Sequence, residues 1–151
     1  MSQINVNTIA STAGTDYQFI KQIVTGTTTT QVDVSSTTLT DTGLTATITP
    51  TSSSSKILVL VSQSVAHNGR SIGRLVIFKG ASNIYDTIDV GDADNQRSLH
   101  FATFLDSPTT TSSTVYKTQM SRFDQSGTIN IQRNDSGSMG KSTIILIEVA
   151  A

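Results

Sequence analysis

Apolar and polar residues alternate most clearly between positions 40 and 62. Leu44, Ala46 and Ile48 alternate there with threonines, which is the period of a half-buried β-strand. Pro50 and the serine run 52–55 interrupt this pattern and predict a turn. The apolar run 57–61 that follows has no polar break, which is typical of a strand covered on both faces. The second arm of this hairpin therefore requires a second sheet, or a second subunit, lying over it.

Shorter segments with turn signals between them predict the remaining strands. They lie at 17–25, 32–35, 73–79, 84–90, 98–105, 115–120, 127–133 and 141–149. Gly26 is expected to break the first of them, and a turn is predicted at 41–43. Leu75 and Ile77 share one face of their strand, and Ile129 and Ile131 are expected to point inward. Ser and Thr make up nearly a third of the 151 residues, and Glu148 is the only glutamate, a composition that favours strands over helices. We predict an all-β fold, an antiparallel β-sandwich of jelly-roll type, as a single domain over residues 16–151.

The first 15 residues are polar, and their apolar residues are few. Ile4, Val6 and Ile9 do not bury enough surface to form a folded element alone. Two interpretations remain open: an extended N-terminal arm that becomes ordered by docking, or a frayed terminus. No basic segment with an apolar stretch follows Met1, so the sequence predicts a protein made in a cytoplasm.

Charge and cysteine content exclude several classes of protein. The net charge of -1 provides no field that would attract nucleic acid or an anionic membrane, so neither is predicted as a partner. The chain has no cysteine, which excludes disulfides and thiolate metal sites. No apolar run approaches the roughly 20 residues that a membrane helix needs. Stability must therefore come from packing or from assembly.

The candidates for chemistry are weak. Asp89, Asp92 and Asp94 are spaced closely enough to hold a hard cation, but their spacing does not match a calcium loop, and a solvated acidic turn is the better interpretation. The two histidines, His67 and His100, do not fall into a recognisable catalytic pattern. We therefore predict that the protein is not an enzyme and binds no cofactor.

The two most apolar strands fit either a core or a subunit interface. Their alternate residues are Ile57, Val59 and Val61 in one strand and Ile145, Ile147 and Val149 in the other. In a sandwich these would be central strands, whereas in a homotrimer one of them would line the three-fold axis. In both cases a substitution such as Leu60→Asp is expected to cost several kcal/mol, as a buried unpaired charge does.

Several short motifs resemble bacteriophage tail-fibre and virion surface proteins, including those of cyanophages. VNTI at 6–9, followed by AGT at 13–15, resembles the N-termini of many of these proteins. Recurring segments of the same family are similar to DTGL at 41–44, ITP at 48–50, SKILV at 55–59, GTINI at 127–131 and STIILIE at 142–148. Together these patches touch about half of the chain.

The resemblance implies a non-catalytic virion protein, a trimer of jelly-roll-like domains whose N-terminal arm docks on a capsid or tail component. A long fibre is disfavoured because little chain is left for a shaft, so a short tail-fibre-like head and a capsid decoration (cement) protein both remain open. The alternative is a carbohydrate-binding, lectin-like module that contacts a host surface glycan. For that alternative, the exposed-loop candidates are His67, Asn68 and Arg70, in a turn that the Asn-Gly pair predicts.

Overall fold

The structure is a computed structural model that describes residues 19–88, 96–124, 126–135 and 138–150. These residues are organised almost entirely as antiparallel strands. In chain order the strands are β1 (Ile20–Thr28), β2 (Val32–Val34), β3 (Thr40–Ile48), β4 (Lys56–Asn68), β5 (Ile72–Lys79), β6 (Ser82–Ile88), β7 (Arg97–Asp106), β8 (Thr114–Asp124), β9 (Thr128–Ile131), β10 (Asn134–Asp135), β11 (Ser138–Met139) and β12 (Ser142–Val149). The all-β prediction is confirmed. The proposed arm, residues 1–15, lies outside the described residues.

The longest strand, β4, organises the first sheet. On one edge it pairs first with β12, from Lys56 opposite Val149 to Ser62 opposite Thr143, and then with β9. On its other edge it pairs with β7 over ten residue positions. The sheet continues outward from β12 to β1 and from β9 to β2. A single strand therefore holds five others in one layer.

The second sheet has the order β3-β8-β5-β6. All of its neighbours are antiparallel, and β10 and β11 form a separate small hairpin. The two sheets form a sandwich-like fold, because the inward side chains of both contribute to one hydrophobic core. As predicted, Leu44, Ala46 and Ile48 face this core. The predicted pairs Leu75–Ile77 and Ile129–Ile131 are also buried there.

The sheets approach each other closely at both sides of the core. On one side β1 lies against β3, and a Cβ built on Gly26 would lie only 1.9 Å from the carbonyl oxygen of Thr45. On the other side Tyr85 of β6 meets Phe104 of β7, with ring centroids 6.1 Å apart. Glycine is required at position 26 because a side chain would separate the two backbones. The predicted strand break at Gly26 is therefore wrong, and β1 passes through it.

Two predicted turns are absorbed into strands. The turn predicted at 41–43 is a bulge inside β3: the Asp41 carboxylate accepts a hydrogen bond from Gly43 N at 3.1 Å, and Gly43 has a φ of 75°. The strand resumes afterwards because Leu44 is needed in the core. Similarly, β4 continues to Asn68, so the turn is confined to residues 69–71, with Gly69 also at a φ of 75°. The residues that favour a turn were predicted correctly, but the strands extend further towards them, or through them, than was predicted.

Replacing Gly26 by alanine is expected to push β1 away from β3. The added Cβ would overlap a backbone carbonyl, which cannot move without displacing β3, so we expect a loss of at least ~2 kcal/mol in the free energy of unfolding. The measurement is equilibrium urea unfolding of Gly26→Ala. Thr47→Ala, at an exposed position of β3, is the control. Equal midpoints for the two variants would contradict the close approach.

Candidate interaction surface and buried polar clusters

Two sets of predicted site residues lie outside the described residues. They are the arm residues Ile4, Val6 and Ile9 and the weak metal candidates Asp89, Asp92 and Asp94. Within the part of the chain that the structure describes, no group of three His, Asp or Glu side chains comes together as a metal site would require. The described residues also contain no helix with the length and hydropathy of a membrane span.

The predicted exposed turn is only partly exposed. Asn68 and Arg70 are exposed, as expected of a loop that could contact a ligand. His67 is buried instead, because it belongs to β4 and its side chain points into the fold. Its Nδ1 lies 2.8 Å from the hydroxyl of Ser71. The expectation that His67 is an exposed-loop residue is therefore corrected.

The six residues predicted for a core or an interface divide between two faces of the same sheet. Ile57, Val59 and Val61 point into the core and are almost completely buried. Ile145, Ile147 and Val149 are only half-buried and lie on the opposite, outer face, since their neighbours Ile144 and Leu146 point inward. Pairing explains the division, because Ile145 lies opposite Leu60 and not opposite an inward residue of β4. Leu60 itself therefore also faces outward.

The outer face of the first sheet is apolar across four strands. One row of cross-strand neighbours is Ile23, Ile147, Leu58 and Leu105. The next row is Thr25, Ile145, Leu60 and Thr103, and the third is Thr27, Thr143, Ser62 and Phe101. Seven of these twelve residues are hydrophobic and five are Thr or Ser, and we call the twelve together the apolar outer face. Phe101 is 71% exposed, Ile23 58% and Leu105 56%, although large hydrophobic side chains normally avoid water.

Beside the exposed ring of Phe101 the apolar outer face has a concavity of about 300 Å³. Its lining includes Leu60, Thr103, Thr143 and Ile145 together with Phe101 itself. Charged groups lie at the ends of the face. Lys56 is at one end of β4, and Arg97, which is ion-paired with Asp135, is at the start of β7. This surface has an apolar centre and a polar border.

The outer face of the second sheet is different. Its exposed residues on β3 include Asp41, Thr45 and Thr47. Lys117 of β8 pairs with Asp41 at 2.8 Å, and Arg74 of β5 pairs with Asp86 of β6. Charged and hydroxyl-bearing side chains of this kind are readily solvated and can remain exposed. The outer face of the second sheet therefore carries ion pairs that the first lacks, although Val115, which lies opposite Thr47 on it, is also 40% exposed.

A buried ionic cluster joins the two sheets. The Tyr116 hydroxyl of β8 donates to Asp106 Oδ2 at 2.6 Å, and Lys79 Nζ of β5 donates to Asp106 Oδ1 at 3.1 Å. Asp106 ends β7, so this carboxylate connects the first sheet to two strands of the second. Burial, together with the hydrogen bond to Asp106 and its negative charge, raises the pKa of Tyr116 above its usual range. The hydroxyl is therefore held as a proton donor and is unsuited to act as a base.

Glu148 occupies a second buried polar site. Its carboxylate accepts hydrogen bonds from Thr51 N and Oγ1, both at 2.7 Å, and from Gln22 Nε2 at 2.6 Å. Burial alone would raise the pKa of Glu148, but hydrogen bonds from Gln22, Thr51 and Ser55 outweigh it and lower the pKa to about 2. These donors come from β1 and from the connection between β3 and β4. Glu148 therefore fastens that connection to the edge of the first sheet.

A third buried site is uncharged and crosses the core. Gln63 accepts a hydrogen bond from Thr118 Oγ1 at 2.9 Å and donates one to Ser142 Oγ at 2.8 Å. The hydroxyls of Thr118 and Thr42 lie 2.5 Å apart, and Gln132 Nε2 donates to Ser142 at 2.9 Å. The chain of contacts runs from the second sheet into the first. It fixes how the sheets are aligned, since a shift would leave buried polar groups without partners.

The sequence analysis missed all three clusters. A signal was present for two of them, since Glu148 and Gln63 each occupy an inward position in an otherwise apolar strand. A polar residue at such a position has to find a buried partner. The identity of the partners could not be predicted, because Thr51, Thr118 and Ser142 are common residue types in this chain and come from distant segments.

No protein-family model matches the chain, and no curated protein is significantly similar to it in a sequence comparison. The function is therefore inferred from the surface and the clusters described above.

Removing the Tyr116 hydroxyl is expected to destabilise the contact between the sheets. Tyr116→Phe leaves one oxygen of the buried Asp106 carboxylate without its donor, which we expect to cost about 1.5–3 kcal/mol in the free energy of unfolding. Urea unfolding at pH 7 measures this loss in the free energy of unfolding. Tyr85→Phe is the matched control, because it removes a hydroxyl from a ring that is only half-buried against Phe104. A cost that is the same for both variants would contradict the assignment.

Acid is expected to destabilise the fold through Glu148. Its folded pKa of about 2 lies below the ordinary value of 4.5, so its contribution to stability is complete above about pH 5 and is lost as the pH falls towards 2. Glu148→Gln should lower the free energy of unfolding at pH 7 by about 2–3 kcal/mol and should flatten its decline between about pH 5 and pH 2.

The measurement for Glu148 is urea unfolding at a series of pH values. Asp86→Asn is the control, since that carboxylate is paired with Arg74 at the surface and should cost less than ~1 kcal/mol at pH 7. If Glu148→Gln declined with acid as steeply as the unmodified chain, the buried carboxylate would not be the acid-sensitive group.

Proposed function

We propose that this chain is a non-catalytic structural protein of a bacteriophage virion. In this proposal it forms a homotrimeric jelly-roll head on the virion surface, as a tail-fibre-like or capsid decoration protein, and docks through its N-terminal arm. The proposal is supported by the motif resemblance of the sequence and by three features of the fold. Strand order is the observation that carries it.

The pairing of eight principal strands supports the proposed jelly roll. The first pairs with the last (β1 with β12), and the successive inner pairs are β3 with β8, β4 with β7, and β5 with β6. The pairs alternate between the two sheets, which gives the orders β1-β12-β4-β7 and β3-β8-β5-β6. Jelly rolls are frequent in viral capsid domains and also occur in lectins. The strand order therefore supports a virion protein and keeps lectin activity as the alternative.

The positions of the described chain ends suit an anchored head. Ala150 N donates to the carbonyl of Phe19 at 2.8 Å, so both ends meet beside the Lys56 end of β4. The turn with Asn68 and Arg70 follows the other end of this strand, which has 13 residues and spans roughly 40 Å. An arm that leaves from Phe19 would therefore hold the molecule at one end and expose that turn at the other.

The buried polar groups support a structural role. Asp106, Glu148 and Gln63 are each held by hydrogen bonds from side chains of neighbouring strands. These bonds cross between strands or sheets and therefore stabilise the sandwich. A catalytic group would instead need a reactive atom directed towards a cleft that admits a substrate.

The lectin-like alternative rests on the exposed Asn68 and Arg70. Against it, Tyr116 is buried and Tyr85 packs on Phe104, so neither offers the exposed aromatic platform that sugar rings usually contact. A glycan array with the isolated protein tests it. Binding that is lost in Arg70→Ala and kept in Arg74→Ala would favour the lectin, because Arg74 lies on the side of the second sheet.

The virion role predicts both an oligomeric state and a location. Native mass spectrometry should give three times the chain mass of 16.0 kDa, with the trimer kept after removal of residues 1–15. Particles purified from a lysate of the encoding phage should contain the chain, whereas the version without residues 1–15 should not bind particles that lack it. Absence of the chain from purified particles would overturn the virion proposal. A monomer would overturn the trimer.

A further inference from the structure

Contacts among the described residues do not explain why the apolar outer face carries so many hydrophobic side chains. Inward residues of β4 and β12 are covered by the second sheet, but the outward residues Leu58, Leu60, Ile145 and Ile147 meet no other layer of the described structure. They are only half-buried by their neighbours in the sheet. Burial of exposed apolar surface is the main favourable term in protein association, so this face should drive it.

We propose that the apolar outer face is the surface through which copies of this chain contact each other around the three-fold axis. The inference rests on the proposed trimer and adds which of its two outer sheet faces is used. The partner that covers this face is a second copy of the chain. Three observations support that choice: the size of the face, its distribution of charge, and the position of Phe101 beside a concavity.

The size of the face suits a protein partner. It covers four strands about 4.8 Å apart and three rows about 7 Å apart, so it spans roughly 400 Å² of sheet. Seven of its twelve residues are hydrophobic and adjoin one another, and the largest apolar patch of a protein surface, about 300–600 Å², is often functional, whereas isolated exposed hydrophobic residues are not informative. The border residues described above add to the contact area, as the polar rim does in known interfaces.

The charge distribution favours a second copy over a charged partner. None of the twelve residues of the apolar outer face is charged, and the charged groups Lys56, Arg97 and Asp135 lie at its ends. Interfaces are depleted of charge at their centre and polar at their rim. An uncharged surface packs against another copy of itself without repulsion, whereas it offers no attraction to an acidic or basic partner.

Phe101 and the neighbouring concavity give the face a complementary shape. Phe101 lies on β7, at one side of the face, and is the most exposed of its large side chains. The concavity extends from it over Leu60 to Thr143 and Ile145 of β12. In a ring each copy uses two different patches, so the β7 side of one copy can meet the β12 side of the next. This contact brings Phe101 of one copy to the concavity of its neighbour.

The test compares one substitution on the two outer faces. Thr103 and Thr47 are both exposed strand threonines, the first on the apolar outer face and the second on the polar face of the second sheet. Thr103→Lys should weaken the trimer at least ~100-fold, because it places an unpaired charge between the copies. Thr47→Lys should leave the trimer unchanged. Analytical ultracentrifugation over a range of concentrations measures both, and circular dichroism verifies that each variant is folded.

A labelling experiment covers the case in which Thr103→Lys does not fold. The chain has no cysteine, so Thr103→Cys and Thr47→Cys each introduce a single thiol of nearly the original size. In the native protein we expect Thr103→Cys to react with a maleimide at least ~10-fold more slowly than Thr47→Cys, because an interface centre excludes solvent. Equal rates would overturn the inference.

The outcomes separate the two proposals. A trimer that Thr103→Lys dissociates and Thr47→Lys does not supports both. A trimer that survives Thr103→Lys, with fast labelling of Thr103→Cys, places the contact elsewhere and overturns only the inference. An unmodified chain that is monomeric overturns the trimer and the inference together, and the particle experiment then decides the virion role independently.

Discussion

The constraint on which the structure depends is that β4 is apolar on both of its faces over residues 57–61, whereas a two-layer sandwich covers only one. Val59 and its inward neighbours are buried by the second sheet, which assembles the core. Leu60 and its outward neighbours remain at the surface beside the apolar residues of β12 and β7. A single chain therefore buries only one of the two apolar faces of β4. The face that stays exposed is the physical reason to expect an assembly, since exposed apolar surface of this extent is costly in water.

The buried polar clusters give the sandwich what apolar packing cannot, namely a unique alignment of the sheets. Apolar side chains tolerate small shifts, but Asp106 requires two partners from the opposite sheet, and Gln63 requires one partner from each sheet, within hydrogen-bond distance. A misaligned sandwich would leave these groups buried and unpaired. Glu148 acts in the same way at the edge, where its carboxylate holds the connection between β3 and β4. In a chain without disulfides, these clusters are the specific ties between elements distant in sequence.

Much of the fold could be predicted from the sequence because its strands alternate regularly. The inward faces of β3 and β9 follow directly from the positions of Leu44 and Ile129. Strand ends were harder, because the bulge at Gly43 and the close approach at Gly26 depend on contacts with other strands. The interface residues could be named but not assigned to a face. In an unbroken apolar run such as 57–61, alternation gives no sign of which residues point inward, and only the register with β12 decides it.

The two outer faces also show how one fold can separate assembly from display. The second sheet carries ion pairs and threonines outside, beside the 40% exposed Val115. The first sheet carries apolar residues outside, and the described ends of the chain, Phe19 and Ala150, meet at one of its ends, away from the turn that holds Asn68 and Arg70. If copies associate through the first sheet, the polar face, the chain ends and this turn all remain free. Association, anchoring and exposure can then occur together, because each uses a different surface of the sandwich.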